Sequence, residues 1–239
     1  MKAVTVVPGM PNSIRLRDVD KPSPKPGMVL LRPLQVGGIC GTDKEIIEGG
    51  KYGKAPRGIP VPHIGPRGLA RVEALGDKVD SVAEGEVVVP TVRRPVNCDL
   101  PVDYCPPMGH YVEHGIWGLH GHAAEFSVTD ARYLVKVPKE VVDVAVLAEP
   151  PLSVVEKGID VAMRVGQSRF DWRPSSALIM GAGPIGLLAT MVLRLMGGLK
   201  TVTAATRPAD SLKARLAQEV GGSKYLDVLT DKVEGGSST

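Results

Sequence analysis

The chain has 239 residues, which is enough for two domains or one large one. Hydrophobic residues make up 43% of it and the formal net charge is +3, values typical of a globular protein with a buried core. Lysine and arginine are spread along the sequence without interleaved aromatic residues, which excludes a dedicated nucleic-acid surface. No apolar run reaches membrane-spanning length, and Pro8 interrupts the N-terminal segment too early for a signal peptide.

The first 150 residues are predicted to be rich in β-structure. Short segments of β-branched and aliphatic residues alternate there with glycine and proline clusters: Val4–Val7, Val29–Val36, Leu69–Leu75, Glu86–Val92, Ala124–Val128 and Tyr133–Val137. Many short strands of this kind indicate an all-β unit related to a barrel or a sandwich. A helix is predicted from Leu152 to about Val165, because apolar residues recur there at helical spacing.

From Ser176 onward the pattern changes to alternating strands and helices. The predicted elements are strand Ala177–Met180, helix Pro184–Met196, strand Thr201–Ala205, helix Asp210–Val220 and strand Tyr225–Leu229. Such alternation predicts a parallel sheet with right-handed crossovers, so the fold class is α/β plus all-β. Three strands form one half of a dinucleotide-binding fold, and we expect either a fragment or a second half supplied elsewhere.

A glycine motif joins the first of these strands to the helix that follows it. Gly181, Gly183 and Gly186 have the spacing G-x-G-x-x-G, with Pro184 and Ile185 between the last two. In such a motif the first glycine permits a tight turn and the second lets the backbone approach a pyrophosphate. The third lets the helix pack closely on the strand. Free N–H groups at the helix start favour phosphate charge, so the motif predicts a dinucleotide site.

The residues after the next strand indicate which dinucleotide binds. Enzymes that prefer NAD place an acidic residue there to bond the ribose hydroxyls. This strand instead ends in Thr206 and Arg207, with no acid. Because an arginine can pair with a 2′-phosphate, the sequence predicts NADP in preference to NAD. The alternative is that Arg207 is a solvated charge after a strand.

Five stretches together resemble the medium-chain alcohol dehydrogenase superfamily, and within it the archaeal-type glucose 1-dehydrogenases. They are Gly37–Asp43, Val88–Pro95, Tyr111–Ile116, Glu149–Lys157 and the glycine motif. The resemblance implies a GroES-like catalytic domain at residues 1–172 and a partial Rossmann domain at residues 173–239. It also implies oxidation of sugars or alcohols with NAD(P)⁺ and zinc, and a homo-oligomer for full-length members.

The resemblance assigns catalytic roles to the stretch around Cys40. A thiolate at Cys40 would be a zinc ligand, and zinc polarises a substrate alkoxide. Thr42 matches the position that relays the hydroxyl proton and contacts substrate, and Asp43 would support it. The alternative for Cys40 is that it is a small buried hydrophobic residue.

The resemblance also assigns three carboxylates to the site. Glu149 matches the position that approaches or binds zinc and contacts substrate. Glu113 matches a position that contacts sugar hydroxyls, and Glu156 matches a second acidic position nearby. A carboxylate accepts hydrogen bonds from several hydroxyls, which makes a polyol substrate reasonable. Exposed glutamates are also common on any helix or loop, so this alternative stays open.

The sequence departs from the family at both of its metal motifs. Where the family has Gly-His-Glu, this chain has Gly65-Pro66-Arg67, and neither replacement can bind a cation. A natural zinc-free paralogue or an error in the reading frame would each explain the change. His63 could substitute only if the loop shifted. Cys98 and Cys105 fall short of the four ligands of structural zinc, so no structural zinc is expected. The alternative is that Asp99, Asp103 or His110 completes the ligand set.

Three hypotheses follow from these motifs. The first is an NADP-preferring, zinc-dependent dehydrogenase that oxidises the C1 hydroxyl of an aldose. The second is a zinc-independent quinone or alkene reductase, and the third is a non-catalytic nucleotide-binding remnant. The first is preferred, and we expect this chain to show little turnover. The three cysteines suit a reducing compartment, so a cytoplasmic protein is predicted, with a small-molecule substrate and no nucleic-acid or membrane partner.

Overall fold

A computed structural model describes residues 1–37, 41–51, 53–57, 63–66, 68–96, 109–145 and 151–231. The chain divides into two compact units, Met1–Pro150 and Pro151–Thr239. The units separate before the long helix that the sequence analysis placed in the first domain, and the boundary between residues 172 and 173 stays a prediction. None of the helices in the described ranges is both long enough and apolar enough to cross a membrane.

The first unit is built mainly from short strands, as predicted for a GroES-like domain. They are β1 (Lys2–Thr5), β2 (Arg15–Asp18), β3 (Met28–Val36), β4 (Gly68–Leu75), β5 (Val87–Pro90), β6 (Arg93–Pro95), β7 (Tyr111–His114), β8 (Gly118–Leu119), β9 (Ser127–Asp130) and β10 (Leu134–Lys136). A short α-helix, α1 (Gly41–Ile47), follows β3, and two 3-10 helices lie at Ala131–Tyr133 and Lys139–Val141.

The core of this unit lies against a five-stranded antiparallel sheet with strand order β10-β5-β4-β3-β9. Val29 and Leu31 on β3 point to one face, as residues two apart do in a strand. Together with Val72 and Val88 they are at most 2% exposed. Burial of each such side chain contributes about 1.5–3 kcal/mol, so this cluster stabilises the five-stranded sheet.

The second unit is a small parallel α/β structure, which agrees with the predicted partial Rossmann domain. Its elements are α2 (Ser153–Arg169), β11 (Ser176–Met180), α3 (Pro184–Gly197), β12 (Lys200–Ala205), α4 (Leu212–Glu219) and β13 (Lys224–Asp227). The described sheet has the order β11-β12-β13 with both pairs parallel. Ala182, Ala214, Ala217 and Tyr225 form its buried cluster, hereafter the alanine–tyrosine cluster.

Several elements differ from the sequence prediction for physical reasons. All four residues of β2 are exposed, so they show no apolar alternation that could reveal a strand. Strands β6 and β7 were also unpredicted, because charged residues pair across them. The strand predicted at Ala124–Val128 lies at Ser127–Asp130 instead.

Candidate functional site

The glycine loop has backbone geometry that fits its predicted role at each glycine. Gly181 has φ +105°, a conformation that side chains strongly disfavour. A Cβ at Gly186 would lie 2.0 Å from the carbonyl oxygen of Gly181, so only glycine fits there. A Cβ at Gly183 would meet nothing within 4 Å, which leaves its backbone open to an approaching group. This open cradle suits a pyrophosphate, and the binding role of the loop stays a prediction.

The glycine loop is hydrogen-bonded to the neighbouring strand β12 and is followed directly by α3. The Gly181 N–H donates to the Ala204 carbonyl on β12 at 2.8 Å, so the turn lies at the carboxyl end of the sheet. Pro184 is the first residue of α3 and Ile185, at 48% exposure, is the second. First-turn N–H groups have no partner within a helix, so those of Ile185 and Gly186 can bind an anion.

A cavity of about 370 Å³ lies at this edge of the sheet. Its lining consists of Gly181, Ala182, Gly183, Ala205, Thr206, Arg207 and Lys213. The structure therefore brings together the glycine loop with Thr206 and Arg207, which the sequence proposed as one cofactor site. Lys213 was missed, although it lies only six residues beyond Arg207 and within the predicted helix Asp210–Val220.

In the first unit, Thr42 and Asp43 lie in the first turn of α1. Thr42 is half-buried and Asp43 is 3% exposed. Cys40, the predicted zinc ligand just before them, lies outside the described residues, as does Glu149. Their assignments as catalytic or metal-binding groups therefore stay predictions.

Glu113 is a buried carboxylate on β7 that pairs with an arginine on the neighbouring strand. Its Oε1 accepts hydrogen bonds from Arg93 Nε at 3.0 Å and from Arg93 Nη2 at 2.7 Å. The side chain of Glu113 is 9% exposed and that of Arg93 35%. The Arg93 guanidinium also lies 4.2 Å from the centre of the Tyr111 ring. Since both bonds use Oε1, the other carboxylate oxygen can accept a hydroxyl.

Glu156, which the resemblance also assigned to the substrate site, lies exposed in the first turn of α2 in the second unit. Arg93 was not identified from the sequence, because its pairing with Glu113 requires two strands that are distant along the chain. Neither strand carries an apolar pattern that would predict the register.

Among the described residues of the first unit, three histidines are buried (His63, His114 and His122) and His120 is half-buried. The rings of His63 and His120 lie 4.3 Å apart, and those of His114 and His122 lie 4.8 Å apart. Burial lowers the pKa of His63 to about 4 and that of His114 also to about 4. The pKa of His120 is lowered by burial, and that of His122 falls well below its usual value for the same reason. All four rings are therefore neutral at pH 7.

The described residues do not supply a complete metal site. Within those ranges, no group of three histidine, cysteine, aspartate or glutamate side chains could hold a metal ion. Pro66 is buried where the family has its histidine, and its side chain offers no donor atom. The Gly65 carbonyl beside it accepts the His122 N–H at 2.8 Å, which fixes the backbone there. Arg67, Cys98 and Cys105 lie outside the described residues.

Comparison with known proteins agrees with both units. The model of the alcohol dehydrogenase GroES-like domain matches residues 25–139, and that of the glucose dehydrogenase C-terminus matches residues 142–237. Glucose 1-dehydrogenase 1 of Vulcanisaeta moutnovskia is 57% identical over 98% of this chain and 67% of its own length. The chain belongs to the glucose dehydrogenase family of the zinc-type alcohol dehydrogenase superfamily.

Two other glucose dehydrogenases are also similar to this chain, and each match covers only part of their length. Glucose 1-dehydrogenase 1 of Caldivirga maquilingensis is 73% identical over 98% of this chain, and the match spans 66% of that relative. Glucose dehydrogenase of Haloferax mediterranei, solved with NADP, Zn and gluconolactone, superposes with a TM-score of 0.81 at 31% identity. That superposition covers 96% of this chain and 65% of the other. The chain thus spans about two thirds of the length of these family members.

Proposed function

We propose that this chain carries the NADP-binding part of an aldose dehydrogenase, which oxidises the C1 hydroxyl of a sugar by hydride transfer. The observation that carries the proposal is the open backbone at Gly183, which lines the same cavity as Arg207, with no acidic side chain among the described lining residues. The glucose dehydrogenase of Haloferax mediterranei, which binds NADP, supports it by similarity. The cytoplasmic location stays a prediction, as does assembly of the full-length protein into a homo-oligomer.

In this proposal one group of residues would bind the cofactor and another group would bind the sugar. The N–H groups at the start of α3 would hold the pyrophosphate, and Arg207 the 2′-phosphate. Glu113, held by Arg93, would accept hydroxyl hydrogens from the sugar, and Thr42 would pass on the proton of the reacting hydroxyl. A bound nicotinamide would supply the hydride acceptor.

Zinc does not fit the described residues, because they contain no group of three ligand side chains and the side chain of the buried Pro66 has no donor atom. No step of the reaction is therefore assigned to it. The same observation favours a second candidate function, in which the chain binds a dinucleotide without turnover.

The test is calorimetric titration of purified protein with NADP⁺, comparing the wild type with Gly183→Ala. A methyl group at Gly183 has space in the fold but occupies the backbone approach, so we expect the affinity to fall about tenfold or more. Gly158→Ala is the matched control, since a Cβ there also meets nothing within 4 Å. An unchanged affinity in Gly183→Ala would reject the site.

A second assay separates the two candidate functions. Wild-type protein is incubated with glucose or other aldoses and NADP⁺, and reduced nicotinamide is followed by absorbance. Formation of reduced cofactor supports the dehydrogenase, whereas binding without reduction supports the second candidate. Absence of NADP⁺ binding would reject both.

A further inference from the structure

The cavity beside the glycine loop contains a second cation that the family motif did not identify. Arg207 lies just after β12, and Lys213 is the second residue of α4. Both side chains are exposed, and neither makes a hydrogen bond or an ion pair with the residues that the structure describes. Elsewhere in this unit Arg164 and Arg173 do pair, with aspartates close to them in sequence.

The rest of the lining leaves these two positive charges uncompensated. Apart from Arg207 and Lys213, the lining residues that the structure describes are glycine, alanine and Thr206, which carry no charge. Two unpaired cations facing one cavity repel each other and attract a group of opposite charge. A phosphate monoester carries nearly two negative charges near pH 7 and accepts hydrogen bonds from both side chains. The ribose hydroxyl of NAD offers no such charge.

The main chain at Arg207 and the first turn of α4, which carries Lys213, are both held by contacts with the alanine–tyrosine cluster. Ser211 caps α4 by accepting a hydrogen bond from the Ala214 N–H at 3.3 Å. Ala214 is 0% exposed and belongs to the alanine–tyrosine cluster, so the first turn of α4 is fixed on the sheet. Tyr225, in the same cluster, donates its hydroxyl to the Arg207 carbonyl. The backbones that carry the two charges are therefore positioned before any ligand arrives.

We propose that Lys213 is a specificity-determining residue, which binds the 2′-phosphate of NADP together with Arg207. The inference rests on the proposed dinucleotide site and extends it, since it assigns discrimination between NADP and NAD to a pair of cations. Loss of Lys213 weakens binding of 2′-phosphorylated nucleotides and leaves binding of NAD unchanged.

The experiment measures the dissociation constants of NADP⁺, 2′,5′-ADP, NAD⁺ and 5′-AMP by calorimetry at low and high salt. In Lys213→Met we expect affinity for NADP⁺ and 2′,5′-ADP to fall about threefold to tenfold, with NAD⁺ and 5′-AMP unchanged. The difference shrinks at high salt because exposed charges are screened. Lys213→Arg should restore most of the affinity, since it keeps the charge.

Lys200→Met is the matched control. Lys200 is exposed at the amino end of β12, about 16 Å along the strand from Ala205 at the cavity, given ~3.3 Å per residue. We expect it to bind all four nucleotides as the wild type does.

The outcomes separate this inference from the proposed function. If the wild type binds NADP⁺ and Lys213→Met binds it equally well, the role of Lys213 is rejected and the dinucleotide site remains. Equal weakening of all four nucleotides in Lys213→Met indicates a structural role, and also rejects it. If the wild type binds none of them, both proposals are wrong.

Discussion

The hydroxyl of Tyr225 donates a hydrogen bond to the main-chain carbonyl of Arg207, with an oxygen–oxygen distance of 2.9 Å. Tyr225 lies on β13 and is only 8% exposed, whereas Arg207 lies in the turn after β12 and is exposed. The bond crosses from one parallel strand to the end of its neighbour. It holds the turn by its backbone and leaves the Arg207 side chain available to a ligand.

Replacing Tyr225 with phenylalanine removes this bond and little else. We expect the free energy of unfolding to fall by about 0.5–1.5 kcal/mol, the net value of one buried hydrogen bond. Affinity for NADP⁺ should fall more than affinity for NAD⁺, because the turn that carries Arg207 loses its support. Urea unfolding and calorimetry measure the two effects. Tyr133→Phe in the first unit is the control, and equal results for both variants would contradict the prediction.

We expect the ion pair between Arg93 and Glu113 to contribute a measurable coupling energy to the free energy of unfolding. Arg93→Met leaves the carboxylate of Glu113 buried without its cation, which we expect to cost about 1–3 kcal/mol. Glu113→Leu added to Arg93→Met should recover part of this loss, since an apolar pair can replace a buried ion pair. A double-mutant cycle from urea unfolding gives the coupling energy. Additive losses would show that the two side chains do not stabilise each other.

The buried histidines predict a loss of stability in mild acid. The pKa of His114 is about 4 in the folded protein, because burial and then the Arg94 charge disfavour its protonation. An unfolded histidine has a pKa near 6.5. The unfolded chain therefore binds more protons between these values, and stability falls as the pH drops from about 6.5 to about 4.

Within the described part of the chain, the side chains and carbonyl that hydrogen-bond to the His114 and His122 rings are uncharged. His114 contacts the Thr129 hydroxyl and the His120 carbonyl, and His122 contacts the Ser127 hydroxyl. Each buried neutral histidine contributes a slope of about 1.4 kcal/mol per pH unit in that window. Urea unfolding at several pH values should show a shallower slope for His114→Gln than for the wild type. The exposed His110→Gln is the control, and identical slopes for all three proteins would disprove the assignment.

Local patterns in the sequence were enough to predict the second unit. Its strands and helices alternate with clear apolar periodicity, and the glycine motif fixes where the loop lies. The same reasoning missed the Arg93–Glu113 pair, because register between β6 and β7 is set by contacts far apart in sequence. It also missed Lys213, since a lysine in a first helical turn has no distinguishing pattern until the cavity beside it is seen.

Restoring the family's metal motif should separate metal binding from the rest of the fold. Pro66→His with Arg67→Glu returns a nitrogen donor and a carboxylate to the Gly-His-Glu pattern. If Cys40 is a ligand, we expect the double variant to bind about one zinc per chain after chelator washing, and the wild type to bind less. Plasma mass spectrometry measures the metal, and thermal unfolding confirms that the buried position tolerates histidine. Adding Cys40→Ser should remove the gained zinc. Equal zinc in the wild type and the double variant would show that residue 66 is not a metal position in this chain.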